Sequence, residues 1–168
     1  GNFNLTLDGT SDVSGTIGTT VTDLTVQGGA LTAGTIDIDG NLNASQNVST
    51  DTGSLLVDGT VTTTGGADLV GATSVNVGGN SSLDGNVTAL AGSISLGDAA
   101  ADDVTLTADS VLTATTTVTL SNNVVGAFDV TFAGAGGNDV DNTIGTDVVD
   151  VNVTAGNLTA GIIDITGN

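Results

Sequence analysis

The sequence predicts an all-β fold, a parallel β-helix (β-solenoid) of about eight coils of ~21 residues each. Three observations carry this prediction. The composition favours strands, short apolar triplets with a polar centre recur along the chain, and the chain repeats itself at an interval of 127 residues. We interpret residues 1–168 as one solenoid segment.

The composition favours strands and argues against disorder. The chain has no Lys, Arg or His, all 19 acidic residues are Asp, and the formal net charge is −19. A high charge is typical of disordered chains only when apolar residues are scarce, and here they make up 38%. Val, Ile and Thr suit the half-buried surface of a strand, whereas the strong helix formers Glu, Lys, Arg and Met are absent.

The absence of cationic side chains excludes several classes of partner. Nucleic acid is not expected, because proteins bind its phosphates through Lys and Arg. Anionic lipid surfaces repel the chain for the same reason, and no apolar run approaches the roughly 20 residues that span a bilayer. The many carboxylates have no cationic side chains beside them, so they must be dispersed over the surface or screened by external cations. Salt and divalent cations are abundant outside the cell, which predicts an extracellular or cell-surface location.

The long repeat indicates a periodic architecture. Residues 1–41 match residues 128–168 at a constant offset of 127, with 20 identities in 41 positions. The alternative all-β fold is a sandwich of antiparallel hairpins, which also suits short strands separated by Gly-rich turns. A sandwich usually carries Pro and aromatic anchors, and this chain has no Pro and three Phe. The solenoid is therefore the favoured interpretation.

Apolar triplets define the coils within the long repeat. Most have a polar residue between two apolar ones, the alternation expected of a strand with one buried face. One series of apolar positions spans the 127 residues in six steps, beginning at Ile36, Leu55, Val75, Ile94, Val118, Val140 and Ile163. We therefore expect six coils per unit, with Ile36 and Ile163 in one dry interior. The triplets at 24, 104, 130 and 151 are expected on a second face.

Neither end of the sequence resembles a polar cap. Residues 1–7 already have the pattern of a strand, and Ile163-Asp-Ile165 stops in mid-unit. Uncapped solenoid ends present strand edges that pair with further strands. We expect one longer chain, or self-association end to end or laterally into a fibre or layer.

Calcium is the candidate ligand of the Asp residues. Ca²⁺ takes carboxylate and carbonyl oxygens at turns. Residues 136–140, GGNDV, resemble part of the calcium-binding nonapeptide of RTX solenoids, without its central Gly. Several Asp positions recur across the long repeat, which gives the candidate ligands Asp12, Asp23, Asp139, Asp141 and Asp150. The alternative is that these residues form turns and protect edges.

The inventory of side chains argues against an enzyme. Acid–base catalysis favours His, Glu, Lys, Tyr or Cys, none of which is present, and a Ser or Thr nucleophile would lack a base. Asp102-Asp103 resembles the paired carboxylates of pectin-cleaving β-helix enzymes, but the cations that bind an acidic sugar are missing, so we expect a solvated turn. Thr rows at 62–64 and 115–119 raise an ice-binding alternative, although they occur in only two places.

The sequence also resembles a known class of surface protein. Coils of filamentous haemagglutinin-like and autotransporter-type bacterial proteins are similar to residues 29–43, GALTAGTIDIDGNLN, and residues 61–78, VTTTGGADLVGATSVNVG. The composition also resembles that of acidic S-layer proteins. The resemblance implies a right-handed parallel β-helix, a non-catalytic structural segment of a large extracellular fibre, adhesin or envelope coat. A calcium- or glycan-binding surface module, with host or cell-surface glycans as partners, is the alternative.

Overall fold

The computed structural model describes residues 2–165, and every regular element in that range is a β-strand. All the strand pairings are parallel and join strands of successive coils. This confirms the all-β parallel β-solenoid of about eight turns. No helix in the described range has the length and apolarity needed to cross a membrane. The strands are β1 Phe3–Ile17, β2 Val21–Ile38, β3 Leu42–Ala44, β4 Val48–Thr50, β5 Leu55–Val57, β6 Val61–Thr63, β7 Leu69–Gly71, β8 Val75–Val77, β9 Ser81–Leu83, β10 Val87–Ala89, β11 Ile94–Leu96, β12 Val104–Leu106, β13 Ser110–Ala114, β14 Thr117–Leu120, β15 Val124–Val125, β16 Val130–Gly134, β17 Gly137–Ile144, β18 Val151–Ala155 and β19 Leu158–Ile163.

Each coil contributes three strand segments, which stack into three faces. Face A, face B and face C are named for the pairings Leu24↔Leu42↔Val61, Leu31↔Val48↔Leu69 and Ile36↔Leu55↔Val75, in that order. The spacing of the triplets in the sequence predicts only two faces. The structure has three, because each coil contains three strand segments and the chain turns at a corner before each of them.

The first and third residues of each triplet point inwards on all three faces. Inward residues such as Leu24, Leu31 and Ile36 are fully buried, while the residue between each pair is partly or wholly exposed. Burial of one such side chain contributes about 1.5–3 kcal/mol. The interior is therefore a continuous aliphatic column, to which Phe132 adds one buried aromatic ring.

The length of the coils is close to that expected, but the long repeat is not a whole number of coils. From Leu5 to Ile163, face A takes eight steps of about 20 residues each. The predicted series holds from Ile36 to Val118, but Val118 then pairs with Asn138 and not with Val140.

Ile163 lies on a different face from Ile36. It pairs with Ile144 on face A, whereas Ile36 lies on face C. An offset of 127 residues therefore equals six coils and one further face, which corrects the expectation of six whole coils. The triplets at 24 and 104 lie on face A, and those at 130 and 151 lie on face B. Gly1 and residues 166–168, the extremes of the repeat, fall outside the described residues.

The last described coil leaves its apolar side chains open to solvent. Ile36 is 0% exposed, as expected, but Ile163 is 53% exposed. Its partner Ile144 is fully buried, so Ile163 continues an inward-facing column. Ile163 is exposed because no further coil covers it, and not because it points away from the interior.

Glycine residues at the corner between faces C and A allow the coils to approach closely. The Gly59 N–H donates to the Gly40 carbonyl oxygen at 3.0 Å, and the Gly79 N–H donates to that of Gly59 at 2.9 Å. A Cβ added to Gly59 would lie 2.6 Å from the Gly40 carbonyl oxygen, too close for any real contact.

Gly59→Ala is therefore expected to lower the free energy of unfolding by about 1–3 kcal/mol, the usual range for overpacking. Gly15→Ala is the matched control, because a Cβ there meets nothing within 4 Å. Urea unfolding followed by circular dichroism measures both. Equal effects of the two substitutions would show that the corner is not tightly packed.

One buried hydroxyl group in residues 2–165 lacks a hydrogen-bond partner. Ser81 lies on face A between Val61 and Val104, and among the described residues its Oγ is buried without a hydrogen bond. The hydroxyl of Ser110, equally buried, donates to the Ala108 carbonyl oxygen at 3.2 Å.

We expect Ser81→Ala to stabilise the chain by about 1 kcal/mol, because an unsatisfied buried polar group carries a desolvation penalty of that order. Ser110→Ala, which removes a satisfied hydroxyl, should be neutral or destabilising. Paired urea titrations give the comparison. A loss of stability in Ser81→Ala would mean that its hydroxyl does have a partner.

Candidate functional site

The predicted calcium ligands are spread along the rod. Asp12 and Asp139 are both exposed, but they lie on β1 and β17, near opposite ends. Asp12 pairs with Thr32, and Asp139 lies between Thr119 and Thr159 on neighbouring coils. Neither of these residues has another carboxylate as its paired neighbour.

The other candidates have different surroundings. Asp141 is exposed, two residues after Asp139 on β17. Asp23 is partly buried, and its Oδ1 accepts hydrogen bonds from the Asn41 N–H at 2.9 Å and from the Asn41 side-chain amide at 3.1 Å. Asp150 precedes β18 and is partly buried. Within residues 2–165, no group of three or more acidic side chains is placed so that it could hold a metal ion. Calcium binding therefore stays a prediction.

The Asp102-Asp103 pair is used in two separate structural contacts. The Asp102 carboxylate accepts hydrogen bonds from the Ala99 N–H at 2.9 Å and the Asp98 N–H at 3.4 Å, and so closes a turn. The Asp103 Oδ1 accepts from the side-chain amides of Asn122 and Asn123 at 2.8 and 2.9 Å. The two carboxylates thus belong to different hydrogen-bond networks.

A ladder of Asn, Asp and Thr residues runs along the corner that precedes face A. The Thr60 N–H donates to Asn41 Oδ1 at 2.9 Å, so Asn41 links the coil below, through Asp23, to the coil above. The Asp103 N–H likewise donates to Asn80 Oδ1 at 2.8 Å. The residues of this ladder all come directly before the first inward residue of face A: Asp23, Asn41, Thr60, Asn80, Asp103, Asn123 and Thr143.

The other two corners carry ladders of their own. Before face B, the Asp68 N–H donates to Asn47 Oδ1 at 3.0 Å, and the Asn86 N–H donates to Asp68 Oδ1 at 2.8 Å. At the corner before face C, the ladder is formed by hydroxyl groups. The Ser54 Oγ lies within hydrogen-bond distance of the Ser74 Oγ, at 2.8 Å. Side chains at each corner therefore satisfy backbone N–H groups or one another, as partly buried polar groups require.

Sequence reasoning missed these ladders, although a signal for them exists. Asn, Asp, Thr or Ser occupies the position before the first aliphatic residue of a triplet at intervals of one coil. Side chains of these residues commonly bond to nearby backbone groups at turns. Asp23, one of the Asp residues that suggested a metal site, is explained by this role, which needs no cation.

Three Asp residues nevertheless stack on successive coils. Asp109, Asp129 and Asp150 precede the paired residues 110, 130 and 151. The Asp129 N–H donates to Asp109 Oδ1 at 3.0 Å. Neighbouring coils are about 4.8 Å apart, so carboxylates in such a column repel one another unless solvent ions screen them.

Asp129→Asn should therefore raise the melting temperature in low-salt buffer, through about 0.5 kcal/mol of relieved repulsion. The gain should disappear in concentrated NaCl, where the charges are screened. Asp37→Asn is the control, because it removes the same charge beside the paired neighbour Leu56. Melts with CaCl₂ and with EDTA complete the set. If Asp129→Asn instead abolishes a stabilisation by Ca²⁺, the column binds the cation.

The outward rows of the faces are chemically mixed. On face A, Thr62 lies between Asn43 and Ser82, so an amide interrupts the row of hydroxyl groups. Asp139 and Asn138 line a shallow, open depression with the outward residues Thr119 and Thr159. Such a surface offers hydrogen-bonding groups in rows.

Comparison with known proteins adds no identification. No family model, no curated protein and no solved structure matches this chain.

Proposed function

We propose that the chain is a structural, non-catalytic segment of a large extracellular bacterial fibre, adhesin or cell-envelope coat protein. Its physical role is that of a stiff rod that sets distance and presents surface. Eight coils at about 4.8 Å each give a rod roughly 38 Å long. Because each coil contacts only its neighbours, length is added without any change in cross-section.

The surface chemistry supports this proposal. Outward positions carry mainly Thr, Ser, Asn and Asp, and the net charge of −19 has no cationic side chain to offset it. A chain without Lys or Arg offers trypsin-like proteases no cleavage site. These properties suit a filament outside the cell, where salt screens the charges.

The observation that carries the proposal is the pair of open edges. Within residues 2–165, the outer edge of β1 has no partner strand, nor do the outer edges of β18 and β19. Apolar side chains are exposed there, with Phe3 51% exposed at one edge and the inward-facing Ile163 53% exposed at the other. Unpaired strand edges with exposed apolar side chains favour association with further strands.

Self-association of the purified chain tests the proposal. Sedimentation velocity and negative-stain electron microscopy over a range of concentrations should show rods of constant width and increasing length. The double variant Val153→Lys/Ile163→Lys places charges on inward positions of the open edge and should keep the chain monomeric. Thr159→Lys adds the same kind of charge on an outward position and should still assemble. A monomeric wild-type chain at every concentration would contradict the proposal.

A further inference from the structure

The C-terminal edge of the rod copies a surface that is buried elsewhere in the same chain. Residues 151–165 are equivalent to residues 24–38 across the long repeat. Ile36 is 0% exposed because the next coil covers it, whereas its equivalent Ile163 is 53% exposed. Residues 151–165 are therefore not covered by a described coil, whereas the equivalent residues 24–38 are covered by the next coil of the same chain.

The two copies of the repeat fold alike but lie on different faces. On face B of the first copy, Ser11 pairs with Leu31, and their equivalents Asn138 and Leu158 pair with each other on face C. The copy is thus rotated about the rod axis by one face.

The next face confirms the same rotation. Ile17 pairs with Ile36 on face C, and their equivalents Ile144 and Ile163 pair on face A.

The third pairing differs by two residues. Leu5 pairs with Leu24, whereas Phe132 pairs with Val153 and not with the equivalent Val151. This difference falls where the copies diverge, since none of residues 1–8 is identical to its equivalent. A shift of two residues keeps the same side chains inward, so the rotation is preserved.

The cover of the buried copy identifies the partner. Residues 24–38 are covered by residues 42–57, with Val48 on Leu31 and Leu55 on Ile36. We infer that residues 151–165 form the docking surface for a further copy of the repeat unit, which begins with a coil like residues 42–57. That coil lies over faces B, C and A, in the same order in which residues 42–57 lie over faces A, B and C.

The inference sets the geometry of any longer rod. Each 127-residue unit advances the rod by six coils and turns its pattern by one face, so three units restore the starting face after about nineteen coils. Each of the three faces therefore carries the same series of side chains, but at a different position along the rod. This deepens the proposed function and rests on it for the claim that the rod is extended.

A chain extended by design tests the docking register. Residues 42–80 are appended after Asn168, because Asn168 is the equivalent of Asn41, which Leu42 follows. One cysteine replaces the residue that corresponds to Ser49 in the appended segment, and the other replaces Thr159 in the parent. Thr32, the equivalent of Thr159, pairs with Ser49, and their hydroxyl groups lie 3.2 Å apart.

The control pairs separate the rotated register from the unrotated one. The inference predicts a disulfide between Thr159→Cys and the appended cysteine. It predicts none from Asn152→Cys, which lies outward on face B, where an unrotated coil would dock. Thr32→Cys/Ser49→Cys within the parent checks that the rod is folded and that oxidation works. Hydrogen exchange of residues 158–163 should slow at least tenfold in the extended chain.

Each outcome decides the question. A cross-link from Thr159→Cys together with slowed exchange supports the inference. A cross-link from Asn152→Cys overturns the rotation and leaves the proposal of an extended rod intact. If neither cross-link forms while the parent pair does, the edge does not accept this coil and the inference is wrong. Failure of the proposed function is seen separately, as a wild-type chain that stays monomeric.

Discussion

Replacing Ile94 with aspartate is expected to unfold the chain. Ile94 is 0% exposed and lies between Val75 and Val118 on face C. A carboxylate there would lose its hydration, and no cationic side chain exists in the chain to pair with it. We expect the free energy of unfolding to fall by more than about 4 kcal/mol, the range reached by unpaired buried charges.

The neighbouring residue is the matched control. Ser95 follows Ile94 on the same strand, but its side chain points outwards. Ser95→Asp adds the same charge and should change the stability by no more than about 0.5 kcal/mol. Far-UV circular dichroism during urea titration measures both variants. Similar losses in the two variants would contradict the assignment of inward and outward positions.

Removal of one whole coil is expected to leave a folded, shorter rod. Deletion of residues 61–80 joins Thr60 to Ser81. Since Ser81 pairs with Val61 in the intact chain, it takes the place of Val61 above Leu42. The deleted residues also contain one strand of face B and one strand of face C. On these two faces, too, the strands on either side of the deletion can therefore pair with each other. Stability should fall modestly, as expected when each coil contributes its own increment.

Deletion of half a coil is expected to have a severe effect. Without residues 61–70, Thr60 would be joined to Gly71, so the next whole strand after the corner that leads to face A would be Val75–Val77 of face C, and the faces beyond it would be out of register. We expect loss of cooperative unfolding and of the strand signal in circular dichroism. If both deletions are tolerated equally, or if neither is, the stacking of equal coils is wrong.

The in-and-out pattern of the strands could be predicted from the sequence because it is local. Triplets such as Ile36-Asp-Ile38 and Leu55-Leu-Val57 show which side chains point inwards, since strand side chains alternate. Parallel stacking followed from the repeat. The number of coils was therefore close to that in the structure.

The assignment of triplets to faces could not be predicted, because it depends on the corners. Alternation along a strand does not reveal how far the chain turns between one triplet and the next. The step from Val118 to Asn138 keeps face C, although Val140 continues the aliphatic series. Asn138 is accepted in the interior because its side chain bonds to the Gly134 N–H and the Ala155 carbonyl oxygen.

The polar residues at the corners show why site prediction was harder than fold prediction. Asp23 was a candidate metal ligand on the strength of its recurrence across the repeat. In the structure its carboxylate accepts two hydrogen bonds from Asn41 and joins one coil to the next. A residue that recurs across the repeat marks a position that the fold requires. At a corner, an Asp residue fulfils this requirement by accepting hydrogen bonds, and it needs no cation to do so.

Distances between spin labels test the central claim of parallel, in-register coils most directly. The chain has no cysteine, so labels attach only where cysteine is introduced. Thr25, Ser82, Thr105 and Val125 lie outward in one row of face A. Backbone separations from Thr25 should be roughly 14, 19 and 24 Å to the other three, rising by about 4.8 Å per coil. Distances that do not rise by this constant step would contradict the solenoid.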